Sequence, residues 1–186
     1  MNIYFSSDTH YFHSNIIKYC NRPFLSEQEM NEKMVANWND IVGDDDIAIH
    51  VGDLSAGLRD RKNQLFELIK ALKGKKILIR GNHDHLPDQW YIDAGFLKVF
   101  DFINCSGLLL THYPIHLFVQ NIDDLSTVGP VEHVIHGHVH KVDVENFENH
   151  FNVAVDRNGF KPILIDEIVP QNLLSNAKES IKNLLL

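Results

Sequence analysis

The chain predicts an α/β layer fold, in which strands and helices alternate along the sequence. Two observations lead there. Short apolar runs of strand length end at glycine or polar clusters, and between them lie longer stretches whose apolar residues recur at helical spacing. A third is an absence: no repeat, low-complexity tract or apolar run of about 18 residues interrupts the pattern. The 186 residues, 44% hydrophobic and 23% charged, read as one domain over 1–186, long enough to bury a core without covalent staples.

Taken in order, residues 2–6 are an apolar strand. Ser26 followed by Glu29 is a capping box that opens a helix running to about Val42, with Met30, Met34, Trp38 and Ile41 on one face. Residues 47–51 form a buried strand that ends in Gly52-Asp53. Leu65, Leu68, Ile69 and Leu72 mark a second helix stopped by Gly74, and the strand 77–79 runs into Gly81-Asn82-His83-Asp84. Residues 99–103 and 108–110 are expected to pair, the second ending at Thr111-His112. The strand 133–135 ends at His136-Gly137-His138-Val139-His140. Residues 151–155 and 163–165 suggest a hairpin around Asn158-Gly159, and Leu173, Ala177, Ile181 and Leu184 give an amphipathic last helix. Five polar clusters thus lie where strands end, the place where open α/β sheets bind ligands.

Composition narrows the function. With 17 Lys and Arg against 25 Asp and Glu the formal charge is -8, which opposes binding of long duplex nucleic acid, because that affinity comes from basic side chains releasing counterions. The two cysteines, Cys20 and Cys105, stand apart without CxxC spacing, as expected of a cytoplasmic protein, and no secretory leader or membrane span is read. No Walker or dinucleotide-binding glycine loop and no G-x-S-x-G elbow occurs, which removes kinases, Rossmann oxidoreductases and serine hydrolases. Asp44-Asp45-Asp46 lacks EF-hand spacing and reads as a solvated turn.

The anomaly is twelve histidines. The strand-end clusters supply Asp8 and His10, Asp53, Asn82 and His83, His112, then His138 and His140. Imidazole, carboxylate and an amide oxygen without thiolate suit Mn, Fe, Ni or Zn. Asp8 with His10, and His138 with His140, can serve one site only where the backbone bends, and Gly52, Gly81 and Gly137 beside the clusters would permit bending.

The ordered set D-x-H, G-D, G-N-H-D, H and G-H-x-H, from Asp8 to His140, resembles the calcineurin-like metallophosphoesterase superfamily. The run Asp8-Thr9-His10-Tyr11-Phe12-His13, and Asn152-Val153-Ala154-Val155 with Lys161-Pro162, are similar to its small stand-alone bacterial and viral members. The resemblance implies a four-layer α/β/β/α sandwich of two mixed sheets flanked by helices. It implies two divalent ions, manganese foremost and Fe, Ni or Zn as alternatives: Asp8, His10 and His140 for one, Asn82, His112 and His138 for the other, Asp53 bridging. A hydroxide between the ions would attack phosphorus, with His83 as general acid and Asp84 orienting it.

A small phosphodiester, a nucleotide among the candidates, is the expected substrate. A monoesterase or nucleotidase of the same mechanism and a non-catalytic interaction module on the same fold are the alternatives. His13, Arg22 and Arg80 are candidates for touching the substrate phosphate, although ion pairing within the fold competes for both arginines. The loops 11–22 and 114–130 are expected at the pocket rim. Oligomeric state is not legible.

Overall fold

The computed structural model describes residues 1–57, 60–120, 125–143 and 148–186. Two sheets are stacked face to face. The first contains β1 (Ile3–Ser6), β2 (Ile47–Val51), β3 (Lys75–Ile79), β4 (Phe96–Phe100) and β9 (Ile163–Leu164), in the order β4-β3-β2-β1-β9. The second holds β5 (Phe102–Cys105), β6 (Leu108–Thr111), β7 (His133–His136) and β8 (His150–Asn152), in sequence order. Both are mixed: β1 to β4 run parallel with β9 opposed, and β6 to β8 run parallel with β5 opposed.

Alternation along the strands assigns the layers. Ile47, Ile49 and Val51 of β2, with Ile77 and Ile79 of β3, meet Leu108, Leu110 and Ile135 of the second sheet in one core. The residues between them point outward. Ala48 packs with Trp38 and Val42, and Leu78 with Met30, Met34, Leu65 and Ile69, beneath α2 (Glu27–Ile41) and α3 (Lys62–Ala71). On the far side Leu109 and Val134 pack with Phe118 of α5 (Ile115–Phe118). The outcome is the expected α/β/β/α sandwich. The last helix, α7 (Gln171–Asn183), with α6 (Ile165–Ile168) before it, packs among core residues of both sheets. Among the described residues no helix is long and apolar enough to cross a membrane.

The capping box forms: Ser26 Oγ accepts from the Glu29 N–H at 3.1 Å, and the Glu29 carboxylate reaches back one residue further, to the Leu25 N–H, at 2.7 Å. Three expectations need correcting. Four short helices, α1 (Ser14–Tyr19), α4 (Asp88–Asp93), α5 and α6, lie where none was read. The single strand expected over 99–103 is two, broken at Asp101, where the chain leaves the first sheet as β4 and enters the second as β5. The turn around Asn158-Gly159 exists, with the Phe160 N–H on Val155 O at 2.9 Å, but it joins no hairpin: β8 pairs with β7 and β9 with β1, in different sheets.

Candidate metal centre

Each polar cluster follows the C-terminal end of a parallel strand, so the two sheets deliver their loops to one crease. Asp8 and His10 follow β1, Asp53 follows β2, and Asn82 and His83 follow β3. His112 follows β6, and His138 and His140 follow β7. The loops are laced together by their backbones: the Asp8 N–H donates to Gly52 O at 2.9 Å, that of His10 to Asp53 O at 3.1 Å and that of Gly137 to His112 O at 3.0 Å.

The backbone bends at the chemically important residues themselves. Asp8, His10, Asp53, His138 and His140 have φ between +49° and +68°, a region uncommon for residues with a side chain and costing about 1 to 2 kcal/mol each. Among the expected bending glycines only Gly52 is left-handed, at φ +86°. Gly81 and Gly137 serve by their bareness: a Cβ on Gly81 would overlap the backbone and carboxylate of Asp53, and one on Gly137 would overlap Ser7 Oγ and Asp8 Oδ2.

Two groups of donor atoms result. Asp8, His10 and His140 offer atoms all within 4.8 Å of one another, as do Asp53, His112 and His138. In the second group Asn82 Oδ1 stands 3.1 Å from His112 Nε2 and 2.9 Å from His138 Nδ1, and those two nitrogens are 3.3 Å apart. Asp53 Oδ2 lies between the groups, 3.5 Å from His10 Nε2 and 3.4 Å from His112 Nε2. Ligands at about 2.1 Å from a shared ion stand about 3.0 to 3.4 Å apart, so these spacings suit cations.

Ring orientations agree. His112 Nδ1–H donates to Val51 O at 2.9 Å and His140 Nδ1–H to Asp156 Oδ2 at 2.8 Å, which leaves each Nε2 lone pair facing the crease. Neither ring nitrogen of buried His10 has a hydrogen-bond partner, an unmet demand that a cation would meet.

Charge tells the same story. Burial opposes ionisation of Asp53, but the hydrogen bond and charge of His112, the His10 imidazole and the His83 N–H outweigh it and hold the carboxyl below its ordinary range. Burial likewise opposes a charged His112, yet Asp53, Asp8 and Val51 O raise it to about 9. His10 and His138 are pushed down, mainly by burial, to about 2 and about 4. Without an ion, a proton on His112 stands where a cation would answer Asp53.

His83 leans over the crease with its side chain 43% exposed and Nε2 3.9 Å from Asp53 Oδ2. Asp84 does not orient it. Its carboxylate accepts from the N–H groups of Asp53 (2.8 Å), Leu54 (3.1 Å) and Gly81 (2.9 Å), bracing two ligand loops against each other. Arg22 is no phosphate clamp either. It is buried with its guanidinium committed to Asp8 O, Thr9 O and both oxygens of Asp156. Arg80 faces away, donating to Asp84 O and Leu86 O and pairing with Asp88. Sequence reading missed Asp156, which joins Arg22 to His140; no spacing rule marks it, because its partners lie 134 and 16 residues away.

Around this centre opens a cleft of about 710 Å³. His10, Asp53, Asn82 and His138 contribute its polar floor, His13 and His83 its edge, and Ile16, Tyr19, Val139 and Val142 apolar wall. His13 sits 5.5 Å from the His10 ring, with its Nδ1 buried and without a hydrogen bond. The loop 11–22 therefore forms rim as expected. The described part of 114–130 lines none of the cleft, and residues 121–124 lie outside the described residues.

A family model described as the calcineurin-like phosphoesterase superfamily domain matches residues 1–155. The chain is 35% identical over 173 residues to an uncharacterized protein of Methanocaldococcus jannaschii, covering 90% of this chain and 89% of that protein. To the gene 66 protein of Mycobacterium phage L5 it is 28% identical over 166 residues, covering 75% and 77% respectively. Among solved structures, a protein of unknown function from Aquifex aeolicus matches with a TM-score of 0.68 at 29% identity, over 90% of this chain and 97% of that one.

Proposed function

The chain belongs to the calcineurin-like phosphoesterase superfamily, and from that premise we propose that it is a phosphodiesterase working with two divalent metal ions, manganese foremost. Asp8, His10 and His140 would hold one ion, Asn82, His112 and His138 the other, and Asp53 both. Such ions supply positive charge for the phosphate oxygens and make a water acidic enough to attack phosphorus.

The remaining work belongs to the chain. Val51 O and Asp156 hold the Nδ1–H groups of His112 and His140, so that each ring already turns its Nε2 toward the crease. Asp84 keeps the Asp53 and Gly81 backbones in register, so that Asp53 faces both donor groups. His83, reaching into the cleft from beside Asp53, is the residue suited to protonate the leaving oxygen. His13, on the edge of the cleft 5.5 Å from the His10 ring, is the side chain placed to meet a phosphate oxygen from outside the donor groups. The volume of the cleft leaves room for a second ester group beside the phosphate, which favours diesters over monoesters.

The observation that carries this reading is the convergence of seven donor residues from five loops on a crease where neither ring nitrogen of buried His10 has a hydrogen-bond partner. In metal-loaded protein, Asp53→Ala or Asn82→Ala should reduce turnover of an aryl phosphodiester to background while circular dichroism stays native. Unchanged turnover in either variant overturns the proposal. His83→Ala should lower kcat by about 10²- to 10⁴-fold with manganese affinity retained, which separates proton donation from ion holding.

A further inference from the structure

The polar floor of the cleft accounts for a phosphate but not for the apolar wall beside it. Tyr19 and Val142 are 73% and 66% exposed, and both line the cleft next to the donor groups. Apolar surface left to water at the mouth of a polar site is the usual mark of a ligand group that covers it. Resting on the phosphoesterase reading above, we infer that Tyr19 and Val142 are specificity-determining: they form a shelf for a planar aromatic group of the ester, and the substrate carries that group on a single phosphate.

The shelf is fixed relative to the centre. Tyr19 ends α1, three residues after Ile16 on the same face, and its ring meets His13 edge-on at 6.2 Å. Just beyond, Arg22 donates to Asp8 O at 2.7 Å and Thr9 O at 2.9 Å, so the end of α1 is tied to the loop that carries Asp8 and His10. Val142, which lines the same cleft, has its N–H closing a turn on Val139 O at 2.9 Å, and the next residue, Asp143, pairs with Arg157 at 2.7 Å. A ring entering the cleft would find both side chains already placed, and little ordering entropy would be lost on binding.

Charge limits what else the ligand carries. Among the described residues Lys141 is the only lysine or arginine lining the cleft, since Arg22 and Arg80 are engaged elsewhere. A second or third phosphate would have no guanidinium to meet it.

The test is calorimetric titration of manganese-loaded protein with phenylphosphonate and ethylphosphonate, which share the phosphonate and differ in the organic group. Wild type should bind the phenyl compound more tightly. Tyr19→Ala should weaken it by about three- to tenfold and leave ethylphosphonate within about twofold. Val142→Ser should weaken the phenyl compound about twofold. Adenosine 5′-monophosphate against ribose 5-phosphate distinguishes a nucleobase from a simple aryl ring as the natural group.

Equal affinity of wild type for both phosphonates, or an equal loss for both in Tyr19→Ala, overturns the inference. So does a dimer in gel filtration that Tyr19→Ala dissociates, since the shelf would then face a second copy of the chain. Absence of wild-type turnover on any diester would instead count against the phosphodiesterase reading, and the phosphonate ratios would still report on the shelf.

Discussion

Asp156 is held by the buried side chain of Arg22 and in turn holds His140, so three residues far apart in sequence act as one positioning unit. Asp156→Asn should lower manganese affinity by about 10- to 100-fold, read by titration, because His140 loses the carboxylate that fixes its proton on Nδ1. His50 offers a different reading. It is fully buried beneath the Asp8 loop, with Nε2 3.0 Å from Thr9 Oγ1, and burial pushes its pKa down to about 3. The unfolded chain therefore takes up this proton first. The stability gained by keeping His50 neutral is complete above about pH 6.5 and lost as pH falls towards about 3, at about 1.4 kcal/mol per pH unit. In metal-free protein, denaturant titrations of His50→Gln should be less steep across that window than those of wild type. Residues of the centre were legible because metal chemistry restricts them to few types at strand ends. Asp156 and His50 were not, since the roles of a bracing carboxylate and a buried neutral imidazole depend on neighbours brought near only by folding.

At the scale of elements, long periodic segments were legible and short ones were not. The 15 residues of α2 give several turns of apolar repeat and a capping box, whereas α1 and α4, with six residues each, give less than two turns. Ser26→Ala should cost about 1 kcal/mol in denaturant unfolding, since the Glu29 N–H loses its side-chain acceptor. The apolar run through Asp101 hides a change of sheet, because apolar alternation reports burial and says nothing of which partner strand does the burying. Asn158-Gly159 signals a turn correctly, yet a turn specifies a hairpin only when both flanks share a sheet. The loop after β7 depends on contact rather than on pattern. Gly137→Ala should destabilise the fold and abolish ion binding together, because its methyl group would occupy the space of Ser7 Oγ and Asp8 Oδ2.

For the molecule as a whole, the donors are divided between two bodies: Asp8, His10, Asp53 and Asn82 belong to the loops of the first sheet, and His112, His138 and His140 to those of the second. Ions in the crease would tie the sheets together. Free manganese at about 100 times Kd should stabilise the fold by about 2.7 kcal/mol, a rise of about 5 to 10 °C in melting temperature for a chain of this length, and a chelator should reverse it. The same division makes the width of the crease depend on what fills the space between the sheets. Ile135 touches that space and contributes none of the donor atoms, and its loss to alanine leaves a void the two sheets can partly close. Bond lengths of the common divalent ions differ by only a few tenths of an ångström, so even a small closure of the crease would matter to which ion fits. If the crease holds the proposed ions, the width available to them would depend on the volume of the interior, where Ile47, Val51, Ile77, Leu108 and Ile135 act as calipers for donor atoms that none of them supplies.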